Sequence, residues 1–379
     1  MRYGCRLGWR IDAFCGEPRG EQSAHGEELL SRVPAEATLR AVPRSTRQPS
    51  YRLFPPVDGG FTNALAFARF ASITLANDPP DVVLASGPPF SMFVAAFLVA
   101  RRFDVPLVLD YRDEWTECPF DFVNKDGNDR AWERRCLSAA DAVLFTTESH
   151  LRHQLATFPE LAASRAHLVP NGWEPDDFVG RERDLQQLSF GEEATLRLAH
   201  VGNLAGHTPP LDFLDSLQEF LTDQPDWVPR IKVRFIGRRS SSADAAVRAF
   251  GFPAVIDVID HVGKREANRK MQESDVLLLL AGPDLERYLP GKLFDYLAAR
   301  RPVLVFGSRG ESADLVDRLG AGVFCPSGSG ASLREALARI QKLDMSRTSD
   351  TVNAWLEEHR REALAARAFE IVESVAARV

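Results

Sequence analysis

Most tightly constraining for this chain is a set of short apolar runs, most of which do not alternate with polar residues. The first series reads "RIDAF" from Arg10, "TLRAV" from Thr38, "DVVLA" from Asp81, "PLVLD" from Pro106, "AVLFT" from Ala142 and "HLVP" from His167. The second reads "RLAHV" from Arg197, "KVRFI" from Lys232, "AVIDVI" from Ala254, "DVLLLL" from Asp275, "PVLVF" from Pro302 and "GVFC" from Gly322. A strand with one face in water would alternate. Continuous runs mark strands covered on both faces. Helical patterns separate them, so the chain reads as βαβ units building parallel sheets. Such sheets bind ligands beyond the carboxyl ends of their strands.

A chain of 379 residues accommodates two such domains. Asn171-Gly172, within "PNGWEPDDF" (170–178), is a turn signal, and the polar stretch that follows to Glu193 has no strand pattern. This predicts a first domain over 1–175, a second over 194–348, and one long amphipathic helix over 349–379, with the two domains facing a cleft. The net charge of -7 and pI of about 5.7 argue against a nucleic-acid partner, yet leave room for a local basic pocket. Five cysteines (Cys5, Cys15, Cys118, Cys136 and Cys325) show no C-x-x-C spacing, which fits reduced thiols in a cytoplasmic protein. "SMFVAAFLVA" (91–100) is too short to span a bilayer, and no apolar core follows Met1. The expectation is a cytoplasmic chain with, at most, peripheral contact at an inner membrane.

The stretch "YLPGKLFDYLAARRPVLVF" (288–306) places Lys292 and Asp295 in the first turn of an apolar helix that follows Pro290-Gly291. Free N–H groups at a helix start attract anions, and Lys292 adds a full charge there. Asp295, three residues on, shares a helix face with Lys292. A carboxylate beside a cationic phosphate site suits two vicinal hydroxyls, as on ribose. The plainer alternative is that Lys292 and Asp295 simply pair with each other. Upstream, "AHVGNLAGHTPP" (199–210) gives a strand followed by a loop in which Gly202 and Gly206 let backbone amides approach a phosphate. In the first half, "LVLDYRDEW" ends a buried strand with Asp110, Arg112, Asp113, Glu114 and Trp115, and "ASGPPF" ends the preceding strand with Ser86 and Gly87. The alternatives are a solvated loop with an Asp–Arg pair and a proline-containing helix start.

The ordered set "DVVLASGPP", "VPLVLDYRDEW", "LVPNGWEPDDF", "HVGNLAGH", "DHVGKREANRKMQESDVLLLL" and "LPGKLFDYLAARRPVLVF" resembles the retaining family-four glycosyltransferases of the GT-B fold, over roughly residues 80 to 325. Bacterial members acting in polysaccharide or glycoconjugate assembly are the nearest in pattern. The resemblance implies an α/β fold of two Rossmann-like domains, with a nucleotide sugar, UDP- or GDP-linked, bound by the second. Asp295 would then hold the ribose. Lys292, Gly291 and Leu293 would clamp the diphosphate. Gly202 and Asn203 would lie beneath the sugar phosphate, and the turn at His261-Val262 would hold the base. Lys292 and Arg112 would stabilise the departing charge, and Asp113 would orient acceptor or sugar. Ser86, Gly87, Asp110 and Trp115 fall on the side of the acceptor, a sugar or a lipid-linked sugar. No metal site and no cofactor beyond the donor substrate are implied.

Three departures from the family pattern matter. Arg287 stands eight residues before Asp295, where many members have Glu, and Glu286 is one residue out of register. Asn203 and His207 stand where an Arg and a Lys are common. The chain opens at "RYGCRLG", as though the first βα unit were missing. A catalytically weak nucleotide-sugar-binding subunit, and a GT-B-fold epimerase or phosphorylase, are the alternative readings. "FVNKDGNDRAWE" (122–133) resembles a calcium loop but begins with Phe122, where a carboxylate is required.

Overall fold

A computed structural model of the chain describes residues 1–16, 30–43, 57, 58, 60–121, 123, 125–178, 195–343 and 345–378. Of the segments singled out above, residues 179–193, Phe122 and Asn124 lie outside the described residues. The chain divides into two compact units. Unit 1 is Met1–Pro170 with Glu362–Val379, and unit 2 is Asn171–Arg361. Among the described residues, no helix is long and apolar enough to cross a membrane.

Unit 1 runs α1 (Arg2–Arg6), β1 (Asp12–Gly16), β2 (Thr38–Val42), α2 (Phe61–Thr74), β3 (Val83–Gly87), α3 (Ser91–Phe103), β4 (Leu107–Tyr111), α4 (Gly127–Ala139), β5 (Ala142–Phe145), α5 (Glu148–Thr157) and β6 (Ala166–Leu168). β3 to β6 form a parallel sheet in chain order, and β1 and β2 make a separate parallel pair. The register sets Ser86 opposite Asp110, at the carboxyl edge of β3 and β4. Aromatic rings fill the space beneath that edge: Phe90 stacks on Trp115 at 5.3 Å, and Tyr111 lies 4.6 Å from Phe93.

Unit 2 runs β7 (Leu196–Val201), α6 (Leu211–Asp223), β8 (Ile231–Ile236), α7 (Ser241–Ala249), β9 (Ile256–Ile259), α8 (Lys264–Glu273), β10 (Val276–Ala281), α9 (Gly291–Ala298), β11 (Val303–Gly307), α10 (Glu311–Leu319), β12 (Gly322–Pro326), α11 (Gly330–Gln341) and α12 (Met345–Glu358). Its six parallel strands lie in the order β12-β11-β10-β7-β8-β9. The chain builds outward from β7 to β9, then returns to the other side of β7 for β10. The direction in which strands are added therefore reverses, with β7 and β10 at the switch point, which opens a crevice at their carboxyl ends. β10 shows why "DVLLLL" reads as it does. Val276, Leu278 and Leu280 pack on one face with Phe213, Phe220 and Phe235, while Leu277 and Leu279 pack on the other with Leu293, Phe294 and Val316.

The segment expected as one helix from 349 is two helices. α12 stops at Glu358, and α13 (Arg361–Ala376) follows. The amphipathic pattern continues across the break, but the backbone bonds do not. Trp173 forms a parallel bridge with Arg360: its N–H donates to the His359 carbonyl at 3.2 Å, and its own carbonyl accepts from Arg361 N–H at 3.0 Å. Those groups are thereby diverted from the helical ladder. α13 then joins unit 1, where Val372 and Val375 pack on Val108, Leu144 and Val169.

Candidate functional site

The residues of interest in unit 2 converge on the β7–β10 crevice. β7 carries His200, wholly buried, and is followed directly by Gly202. Gly202 has φ 141°, and a Cβ there would lie 2.9 Å from Lys292 Nζ, so only glycine lets that ammonium settle over the strand end. Its neighbour Gly237 has φ 137°, and a Cβ on it would meet the Gly202 carbonyl at 2.4 Å. Lys292 rises from the start of α9, which Pro290 caps without a side-chain hydrogen bond. Gly291 is exposed, and nothing lies within 4 Å of where its Cβ would be, so the helix start is open at that residue. Leu293, by contrast, is fully buried and anchors α9 on the core.

The electrostatics of Lys292 come from burial and from His200. Burial pushes the ammonium down to about 8. His200 Nδ1 lies 3.0 Å from the Leu278 carbonyl, which can only accept, so Nδ1 carries the proton. Nε2 is then an acceptor, and Lys292 Nζ stands 3.3 Å from it. Burial, and then the Lys292 charge, hold the imidazole well below its ordinary value, so it stays neutral. Tyr296, also wholly buried, locks the same strands. Its hydroxyl accepts from Val201 N–H at 2.7 Å and lies 3.1 Å from the Val201 carbonyl.

Asp295 is 8% exposed and does not pair with Lys292. The simple Lys292–Asp295 pairing expected as the plain alternative is therefore corrected. One turn along a buried helix, the two side chains meet partners from different elements. Asp295 Oδ2 accepts from Lys264 Nζ, at the start of α8. Burial raises the carboxyl, while Lys264 and then Arg361 pull it down and Asp177 pushes it up. His261 is exposed and Val262 half-buried against the core, in the loop leading to Lys264. Asn203 is exposed, and its carbonyl accepts from the Thr208 hydroxyl at 2.9 Å. His200 and Lys264 escaped the sequence reading. A histidine inside an apolar strand was one available signal. A lysine on the first residue of a helix, against the macrodipole, was the other.

In unit 1 the structure gathers Ser86, Gly87, Asp110 and Arg112 at one strand edge. Asp110 accepts from the Ser86 hydroxyl at 3.0 Å through one oxygen and from Arg112 Nε at 2.8 Å through the other. Arg112 also donates to the Val169 carbonyl at 3.2 Å, and its own N–H donates to the Gly87 carbonyl at 3.1 Å. Gly87 is buried with the Phe90 ring against it, 2.7 Å from where a Cβ would stand. Asp113 is half-buried. Burial raises its carboxyl, Arg112 lowers it, and Glu114 raises it again. Trp115 requires a correction. It is 0% exposed, and its indole N–H goes to Asp129 Oδ1 at 3.2 Å, so it is core beneath the edge rather than an acceptor contact. The calcium-like loop is a helix cap: Asp126 accepts from Asn128 and Asp129 N–H at the start of α4. Among the described residues, no group of three or more His, Cys, Asp or Glu is placed to hold a metal.

Comparison with known proteins adds three findings. Residues 1–172 match the family described as Glycosyl transferase 4-like domain. No curated protein matches the chain by sequence. Solved structures resemble it over nearly its whole length at low identity. A sucrose-phosphate synthase from Thermosynechococcus elongatus has a TM-score of 0.72 at 13% identity, covering 100% of this chain and 92% of its own. Anabaena HepE in complex with UDP and glucose has 0.68 at 10%, covering 96% and 100%. A UDP-forming α,α-trehalose-phosphate synthase from Burkholderia vietnamiensis has 0.65 at 15%, covering 87% and 79%. The chain thus has the α/β fold of GT-B glycosyltransferases, and this fold together with the match over residues 1–172 supports a glycosyltransferase of GT-B type.

Proposed function

We propose that this chain moves a hexosyl group from a nucleotide sugar to a hydroxyl acceptor with retention at the anomeric carbon, in polysaccharide or glycoconjugate assembly. The observation that carries the reading is the Lys292 ammonium, seated over Gly202 beside the open start of α9 at the β7–β10 crevice. A cation partnered by a neutral imidazole keeps its charge for an incoming diphosphate. The Gly291 and Lys292 N–H groups add to it. Asp295 receives the ribose, and the His261-Val262 loop receives the base. Support for a UDP-linked donor comes from HepE, which was solved with UDP and glucose, and from the UDP-forming synthase.

The acceptor oxygen attacks the anomeric carbon on the face the diphosphate leaves. The C1–O bond to phosphate breaks as the new C1–O bond forms, and the acceptor proton passes to the leaving phosphate oxygen. The protein's share is orientation and stabilisation of the departing charge. Lys292 and the helix start do the second. Asp113 is the acceptor-side carboxylate. Arg112 braces Asp110 and the strand edge.

Titration calorimetry with UDP and GDP, followed by turnover of several nucleotide sugars and NMR of the product anomer, tests the proposal. Binding of one nucleotide, with transfer and an unchanged anomeric configuration, is the expected result. Binding without turnover would move the reading to the non-catalytic subunit, which Arg287 in place of the common Glu favours. No binding of either nucleotide would sink it.

A further inference from the structure

Lys264 stands where helix electrostatics disfavour it. It is the first residue of α8, after a Gly263 cap with no side chain, and a cation there opposes the positive end of the macrodipole. Its location is explained instead by Asp295, thirty-one residues on, whose Oδ2 accepts from the Lys264 ammonium. The pair is largely enclosed, with 25% and 11% of the two side chains exposed. Arg361 and Asp177 are the other charged groups acting on Asp295. Among the described residues, no hydrogen bond reaches Asp295 Oδ1. A free carboxylate facing a vicinal diol accepts from both hydroxyls, one per oxygen. With Oδ2 already accepting from an ammonium, Oδ1 is the oxygen with both lone pairs open.

We infer that Lys264 is a positioning residue that holds Oδ2 of Asp295 and leaves Oδ1 as its stronger contact, so that one of the two ribose hydroxyls of the donor is read more tightly than the other. The inference rests on the donor reading above. It also links two parts of that reading, because Lys264 directly follows the loop assigned to the base, and so joins base recognition to ribose recognition through one ion pair.

Affinities of the full chain for the nucleoside diphosphate it binds, UDP or GDP, and for the 2'-deoxy and 3'-deoxy forms test this. In the wild type, one deoxy form is expected to bind about tenfold to a hundredfold more weakly and the other about threefold or less, as fits loss of a single hydrogen bond to a charged group. Lys264→Met is expected to weaken the parent nucleotide and to bring the two deoxy penalties together. Lys264→Arg, which keeps the charge, is expected to preserve their difference. Equal penalties in the wild type, or unchanged penalties in a folded Lys264→Met, would overturn the inference and leave the donor reading standing. Failure of the wild type to bind UDP or GDP would overturn both. The wild-type comparison needs no variant to fold.

Discussion

Lys292 is held by an imidazole rather than a carboxylate, and that choice has consequences at the scale of one residue. Among the described residues it contacts the His200 imidazole and the Gly202 backbone, neither of them an anion. Lys292→Ala is expected to lower kcat by about 10²–10³-fold, the range for removing one preorganised donor to developing charge, with a smaller change in donor affinity. Steady-state kinetics with calorimetric donor binding checks the split, and equal losses in both would remove Lys292 from the chemical step. Because burial brings the ammonium down to about 8, it releases its proton as pH rises through that value. Donor affinity is therefore expected to fall between pH 8 and 10 in the wild type and to stay flat there in Lys292→Ala. The sequence made Lys292 and Asp295 visible as chemistry but offered no partner for either beyond the other. Spacing within a helix describes an exposed surface. On a buried helix the partners come from elsewhere in the fold, and His200 and Lys264 lie 92 and 31 residues away in sequence. Trp115 misled for the opposite reason: its charged neighbours in "DYRDEW" masked a core ring.

Elements were far more legible than partners. All twelve strands expected from the apolar runs are present among the described residues, and for inner strands such as β10 burial on both faces leaves a signal that needs no knowledge of neighbours. The tight approaches between elements left no such signal. Gly237→Ala is expected to cost about 2 kcal/mol or more, since it strains a φ of 137° and drives a Cβ into the Gly202 carbonyl. Denaturant unfolding would show the loss, and donor binding would weaken as Gly202 shifts. Helix α4 carries a different liability. Asp129 and Glu133 are wholly buried, and burial pushes each up to about 7. Glu133 accepts from Thr116 N–H at 3.0 Å and Gln154 at 2.8 Å, which opposes the rise, while Asp129 Oδ2 is buried with no partner among the described residues. Both groups hold protons in the folded chain that the unfolded chain releases near pH 4. The unfolded state then binds fewer protons, so stability falls as pH climbs from about 4 to 7, by at most about 1.4 kcal/mol per pH unit for each group. Asp129→Asn is expected to flatten the Asp129 share of that slope, as read from denaturant midpoints across the window.

For the molecule as a whole, the unit boundaries follow the chain less simply than the turn at Asn171-Gly172 implies. Unit 1 closes with residues from the far end of the sequence. Val372 of α13 is 3% exposed against Val108, Leu144 and Val169. Val372→Asp is expected to cost unit 1 about 3 kcal/mol, the mark of an unpaired buried charge. Calorimetry should show unit 1 melting earlier and unit 2 unchanged, and a uniform shift of both would argue that the units unfold as one. The break at His359-Arg360 was not legible, because its cause is Trp173, whose bridge to Arg360 no periodicity within 349–379 could contain.

The passage of the last helix into unit 1 also orders events during synthesis. When Pro170 leaves the ribosome, the sheet of β3 to β6 is complete in strands but lacks the side chains that cover Val108 and Leu144. Some 200 further residues, all of unit 2, must emerge before Val372 and Val375 arrive. The half of the chain translated first is thus the half finished last, and its apolar sheet face is open to chaperones throughout that wait.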